Sequence, residues 1–163
     1  MTLKIKYLNA KIGSSKNKAI ILSKDTKISD FKGIFDEKTN LKILNLLKNS
    51  KKVDDNNISS LNLDFDKKLI AILIAKKNNF FQSEKLGAQF YDYVKANNIN
   101  DILIVGSNFK SVFNKIEFES FLHGAELKSY QFNLYKSKNK NKVINLNVLN
   151  KKNLNNQKEK KKL

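Results

Sequence analysis

Two uninterrupted apolar runs constrain this chain more than any other feature. Leu69-Ile70-Ala71-Ile72-Leu73-Ile74-Ala75 and Ile102-Leu103-Ile104-Val105-Gly106 contain no polar residue, so a strand made from either one needs cover on both faces. Between them Leu86, Phe90, Tyr93 and Val94 recur at i, i+4, i+7 and i+8, the period of a helix with a single apolar face. Ser83 stands where it would cap the first turn, Glu84 suits the positive helix end, and Asn97-Asn98 supplies a stop. Strand, helix and strand within about 40 residues make a βαβ unit, whose crossover is right-handed in nearly all proteins. The chain therefore reads as α/β with a mostly parallel sheet.

The remaining segments extend that unit. Leu3, Ile5 and Tyr7 alternate with Lys4 and Lys6, as in a strand with one buried face, and Ala19-Ile20-Ile21-Leu22 is another doubly covered strand. Ile28, Phe31, Ile34 and Phe35, and then Leu41, Leu44 and Leu47, point to two short helices interrupted near Gly33 and Thr39-Asn40. Residues 49–62 are polar and read as an exposed loop or an irregular strand. A third helix is expected from Asn114, with Glu117 completing a capping box and Phe118, Phe121, Leu122 and Ala125 on one face. Tyr130-Gln131-Phe132-Asn133-Leu134-Tyr135 fits either a strand or a continuation of that helix. Val143-Ile144-Asn145-Leu146-Asn147-Val148-Leu149 alternates as a last strand. Residues 1–150 form one domain on this reading, and 151–163 a basic, disordered tail.

Charge raises a nucleic-acid reading and composition weakens it. The net charge is +17, and the stretch from Lys136 to Leu163 holds ten lysines and one glutamate, +9 of that total. Lysines that neutralise phosphates release counterions and bind nucleic acid without sequence preference, so Lys136, Lys138, Lys140, Lys142, Lys151 and Lys152 are the candidate contacts. Arginine is absent, which removes the commonest base-specific contact, the bidentate reading of guanine. No run approaches the roughly 18 apolar residues of a membrane-spanning helix, and the start lacks a secretory h-region. A cytoplasmic location without membrane contact is the expectation.

Little here can carry out chemistry alone. With no cysteine, thiolate nucleophiles and thiolate metal sites are excluded. A two-metal hydrolase needs several converging carboxylates. Asp54-Asp55 sits in a polar stretch, Asp64 and Asp66 flank Phe65, and Glu117 and Glu119 lie two apart on a helix and so face different ways. His123, the single histidine, is expected to be a surface or packed residue rather than a metal ligand or general base. Gly106-Ser107-Asn108, after a buried strand, is the one candidate turn for a phosphate of an ADP-ribose-like ligand, and one glycine falls short of a phosphate-binding loop.

The segment Gly124-Ala125-Glu126-Leu127-Lys128-Ser129-Tyr130-Gln131-Phe132-Asn133-Leu134-Tyr135-Lys136 resembles the signature near the end of the N-terminal domain of leucyl (cytosol) aminopeptidases. Gly124, Leu127, Tyr130, Phe132, Tyr135 and Lys136 fall on that pattern. The resemblance implies a three-layer, macrodomain-like fold with a mixed, mostly parallel sheet flanked by helices. It also implies a metalloaminopeptidase setting, in which a separate C-terminal domain holds two divalent ions, manganese or zinc, and performs proteolysis. That domain's Asn-Thr-Asp-Ala-Glu-Gly-Arg motif is absent here, and Ala75-Lys76-Lys77 stands where the family has a glycine-rich turn. What the resemblance implies is a truncated or split, non-catalytic domain with no metal or cofactor of its own. Its partners would be the catalytic domain or other subunits, through the oligomerisation that gives the family's hexamer.

Overall fold

The computed structural model describes residues 2–8, 17–23, 25–31, 34–50, 55–64, 67–73, 78–105, 115–131 and 142–149. The elements run β1 (Thr2–Leu8), β2 (Asn17–Leu22), a 3-10 turn (Ile28–Phe31), α1 (Glu37–Ser50), β3 (Asn57–Asp64), β4 (Lys67–Leu73), α2 (Phe80–Ala96), β5 (Asp101–Val105), α3 (Lys115–Gln131) and β6 (Val143–Leu149). The six strands form one sheet in the order β1-β6-β5-β2-β4-β3. All neighbours are parallel except β3 with β4. The fold is α/β and macrodomain-like.

Continuous and alternating apolar runs take different places in this sheet. In β2, Ala19 and Ile21 enter the core under α2 and α3, while Ile20 and Leu22 enter the one under α1. The central strands repeat the division: Ile70, Ile72, Ile102 and Ile104 go to the first core, and Leu69, Ala71, Leu103 and Val105 to the second. In β6 Ile144, Leu146 and Val148 are in the first core. On its other face Asn147 donates from Nδ2 to Asp101 Oδ1 at 2.9 Å. A strand buried on both sides reads as unbroken apolar residues and a strand covered on one side alternates.

Several boundaries depart from the periodicity. The first of the two expected short helices is a 3-10 turn, and the second is a full helix that already contains Thr39 and Asn40. Asp36 starts it by accepting the Thr39 amide at 2.8 Å, which satisfies one of the donors every helix leaves open at its beginning. Ile43 and Leu47 are its fully inward residues, whereas Leu41 is exposed. Of the expected face Leu41, Leu44 and Leu47, the structure buries Leu47, half-buries Leu44 and exposes Leu41. Of residues 49–62, expected as an exposed loop or irregular strand, the first two end α1 and those from Asn57 on belong to the antiparallel edge strand β3, with a register shift between Asn62 and Asp64. Ser83 does not cap α2. Asn79 does, accepting the Gln82 amide at 2.9 Å, and Ser83 is buried one turn in with Asn78 Nδ2 donating to its hydroxyl. The stop at Asn97-Asn98 holds: Asn98 has φ 52°, its amide bonds to Lys95 O, and the Ile99 amide bonds to Val94 O. Those two bonds close the helix end through a left-handed residue, a conformation asparagine tolerates.

Candidate functional site

The residues that the sequence singled out lie on or after α3, and α3 is fixed in place by an unusually close crossing. Gly124 is buried against α2, where a Cβ would fall 1.9 Å from the Glu84 carbonyl oxygen. At Gly87 of α2 a Cβ would fall 1.8 Å from the Phe121 carbonyl oxygen. No side chain fits at either point, so the two backbones touch through reciprocal glycines. Phe90 and Phe121 pack beside the crossing with ring centroids 5.4 Å apart, and Lys128 bridges to Asp92 of α2 at 3.3 Å. Gly124 was legible in the sequence as part of a signature. Gly87 was missed, because one glycine inside a helical period carries no mark of the backbone that approaches it.

The crossing turns the opposite side of α3 outward. Ile116, His123, Leu127 and Tyr130 follow one another at intervals of seven, four and three residues, which keeps them on one helix face. Ile116 is 68% exposed, Leu127 43% and Tyr130 61%. Tyr7 of β1 is 58% exposed. Its hydroxyl pKa is raised by burial and then by the charges of Glu119 and Glu126, so these two carboxylates act on the zone between the edge strand and α3. Two signature residues, Leu127 and Tyr130, thus belong to this outer face. Phe132, Tyr135 and Lys136 lie outside the described residues.

Elsewhere the candidates stay apart. Asp55 is an exposed residue at a bend, and Asp64 makes only a solvent-exposed pair with Lys67 at 3.9 Å. His123 is exposed on α3, the helix that also carries Glu117 and Glu119. Asp54 and Asp66 lie outside the described residues. Among the described residues no group of three or more His, Cys, Asp or Glu side chains could hold a metal ion, and no helix is long and apolar enough to cross a membrane. In strand order β2 is followed by β4 and β3 on one side and β5 by β6 on the other, and the crevice beyond the carboxyl ends of such a pair is where open α/β sheets take ligands. On the β2 side Ser23 and Thr26 are tied to each other: the Ser23 amide donates to Thr26 Oγ1 at 2.8 Å and the Thr26 amide to Ser23 O at 3.2 Å. The β5 side, Gly106-Ser107-Asn108, lies outside the described residues. Of the candidate phosphate contacts, Lys142 is exposed just before β6, and Lys136, Lys138, Lys140, Lys151 and Lys152 lie outside the described residues.

No family profile matches this chain, and no curated protein matches its sequence. Solved structures do resemble it. A mutant of tomato leucine aminopeptidase superimposes with a TM-score of 0.56 at 13% identity, over 92% of this chain and 32% of that one. The macrodomain of Thermus aquaticus DarG superimposes with a TM-score of 0.54 at 6% identity, over 91% of this chain and 99% of that one. At these identities the likeness is one of fold. The chain spans about a third of the length of the aminopeptidase and nearly the whole of the macrodomain.

Proposed function

We propose that this chain is a non-catalytic domain of the leucine aminopeptidase type, acting by packing against other protein rather than by chemistry of its own. The observation that carries this reading is the outer face of α3, where Ile116, Leu127 and Tyr130 stand in solvent on a helix held rigidly from behind. Large apolar side chains grouped on one face mark a surface that another protein covers. The shared fold with part of an aminopeptidase supports naming the partner class: the metal-bearing remainder of such an enzyme, or further subunits of its assembly. The two divalent ions belong to that partner, and residues 1–150 are the packing domain. The place of action is the cytoplasm. The test is leucine-amide hydrolysis by the purified chain with added manganese or zinc; metal-dependent turnover that copurifies with the chain overturns the reading.

The concentration of lysine after residue 135 favours a second reading, a polyanion contact through Lys136, Lys138, Lys140, Lys142, Lys151 and Lys152. It calls for weak nucleic-acid binding that falls steeply with salt and is mostly lost when those six lysines are replaced by glutamine. Binding that survives the replacement unchanged removes it.

A further inference from the structure

Among the described residues the sheet has two edges, β1 and β3, and they differ. At β3 the register slips between Asn62 and Asp64, and Lys42 Nζ donates to the Asn62 carbonyl at 2.9 Å. Bulges and charged side chains are the usual means of blunting an edge. β1 instead runs seven residues in unbroken register with β6, from Thr2 opposite Val143 to Leu8 opposite Leu149. The Thr2 amide bonds to Lys142 O at 3.0 Å. In a parallel ladder that bond turns the backbone groups of Thr2, Lys4 and Lys6 toward β6, and those of Leu3, Ile5 and Tyr7 toward the outer edge.

The two faces along this edge carry opposite charge. Leu3 and Ile5 pack against the α2 and α3 core, and Tyr7 follows them on the same face, within reach of the Glu119 and Glu126 charges. Lys4 and Lys6 are exposed on the opposite face. A second copy of the chain is the wrong occupant. Antiparallel pairing of β1 with itself must keep each face matched, so centring on Ile5 sets Lys4 opposite Lys6, centring on Lys4 or on Lys6 sets that lysine opposite itself, and centring on Leu3 or Tyr7 leaves only a short end of Thr2–Leu8 paired. Like charges directly opposite each other in a sheet are destabilising.

We infer that the outer edge of β1 is a strand-addition site for an extended segment of a partner polypeptide whose residues alternate, apolar beside Leu3, Ile5 and Tyr7 and acidic beside Lys4 and Lys6. Main-chain bonds to Leu3, Ile5 and Tyr7 supply the affinity and the alternation supplies the selectivity. The edge adjoins α3 at Tyr7, but the main-chain groups of Leu3, Ile5 and Tyr7 are distinct from the side chains of Ile116, Leu127 and Tyr130, so this site stands or falls apart from the aminopeptidase reading.

The probes are fluorescein-labelled Val-Glu-Val-Glu-Val-Glu-Val and its lysine counterpart, titrated with the full chain by fluorescence anisotropy. The acidic peptide binds, and the lysine peptide binds at least about tenfold more weakly. Lys4→Glu with Lys6→Glu reverses that order. Tyr7→Pro, at an exposed position, removes an outward amide while leaving the ladder to β6 intact, the one place in a sheet where proline is tolerated, and it abolishes binding without lowering the unfolding midpoint by more than a few degrees. Peptides N-methylated at alternate amides check the same point on the unaltered chain: methylation of one set abolishes binding and methylation of the other preserves it. Equal binding of the acidic and basic peptides, or retained binding by both N-methylated sets, overturns the site.

Discussion

The two layers of helix on this sheet are held in different ways. Between α2 and α3 the contact is backbone to backbone at Gly87 and Gly124, with Phe90, Phe118 and Phe121 around it. Under α1 the contact is made by side chains, chiefly Ile43 and Leu47 with Phe31 of the 3-10 turn. A side-chain contact can repack around a small change, whereas two touching backbones can only separate. The first layer is therefore the stiffer platform, and it is the one whose outer face carries the exposed Ile116, Leu127 and Tyr130.

The largest effect expected from breaking this contrast is at Gly124→Ala. On an ordinary helix that change stabilises by about 1 kcal/mol. Here the new Cβ meets the Glu84 carbonyl, the sign reverses, and a loss of about 3 kcal/mol is expected from forced separation of the helices. Urea unfolding measures it. A stabilised Gly124→Ala would show that α2 and α3 are not in backbone contact. Ile43→Ala in the other layer removes a fully buried side chain and costs about 2–3 kcal/mol, at the lower end for such truncations because α1 can settle inward. The next step down is Asn79→Ala, with about 1 kcal/mol lost with the α2 cap, while Ser83→Ala leaves that cap in place.

A pH titration separates the start of α1 from the rest. Hydrogen bonds from the Thr39 side chain and backbone hold the Asp36 carboxyl below its ordinary pKa. A carboxylate with a depressed folded pKa contributes stability above its unfolded value, and that contribution disappears as pH falls through the folded one. The unfolding midpoint of the native chain thus falls more steeply on acidification than that of Asp36→Asn, and parallel curves would deny the cap. The smallest effect is on the outer face: Leu127→Ser and Tyr130→Ser change stability by no more than about 0.5 kcal/mol, since neither side chain is in a core.

What the sequence made legible follows the same division. Continuous runs at Ala19-Ile20-Ile21-Leu22, Leu69-Ile70-Ala71-Ile72 and Ile102-Leu103-Ile104-Val105 identify the central strands, because cover on both faces leaves no choice of side chain. The inward set of α3, Phe118, Phe121, Leu122 and Ala125, is equally clear and is fully buried in the structure. The phase of α1 was obscure because Leu41, Ile43, Leu44, Leu46 and Leu47 offer more apolar residues than its inner face uses. The strand Asn57–Asp64 was obscure because an edge needs cover on few positions and tolerates Asn and Ser. At the outer face, Leu127 and Tyr130 were visible as members of a pattern. The backbone contact at Gly124 that fixes their helix is made with Glu84 of α2, distant in the chain, and so follows from no local spacing.

The central claim is that the outer face of α3 packs against protein. Its most direct test is size-exclusion chromatography of the chain mixed with a separately produced leucine aminopeptidase catalytic domain, alongside the triple variant Ile116→Ser, Leu127→Ser, Tyr130→Ser. The account predicts a complex with the native chain that is lost in the variant while its unfolding midpoint is kept. A native chain that elutes alone, or a variant that binds as well as the native chain, contradicts it.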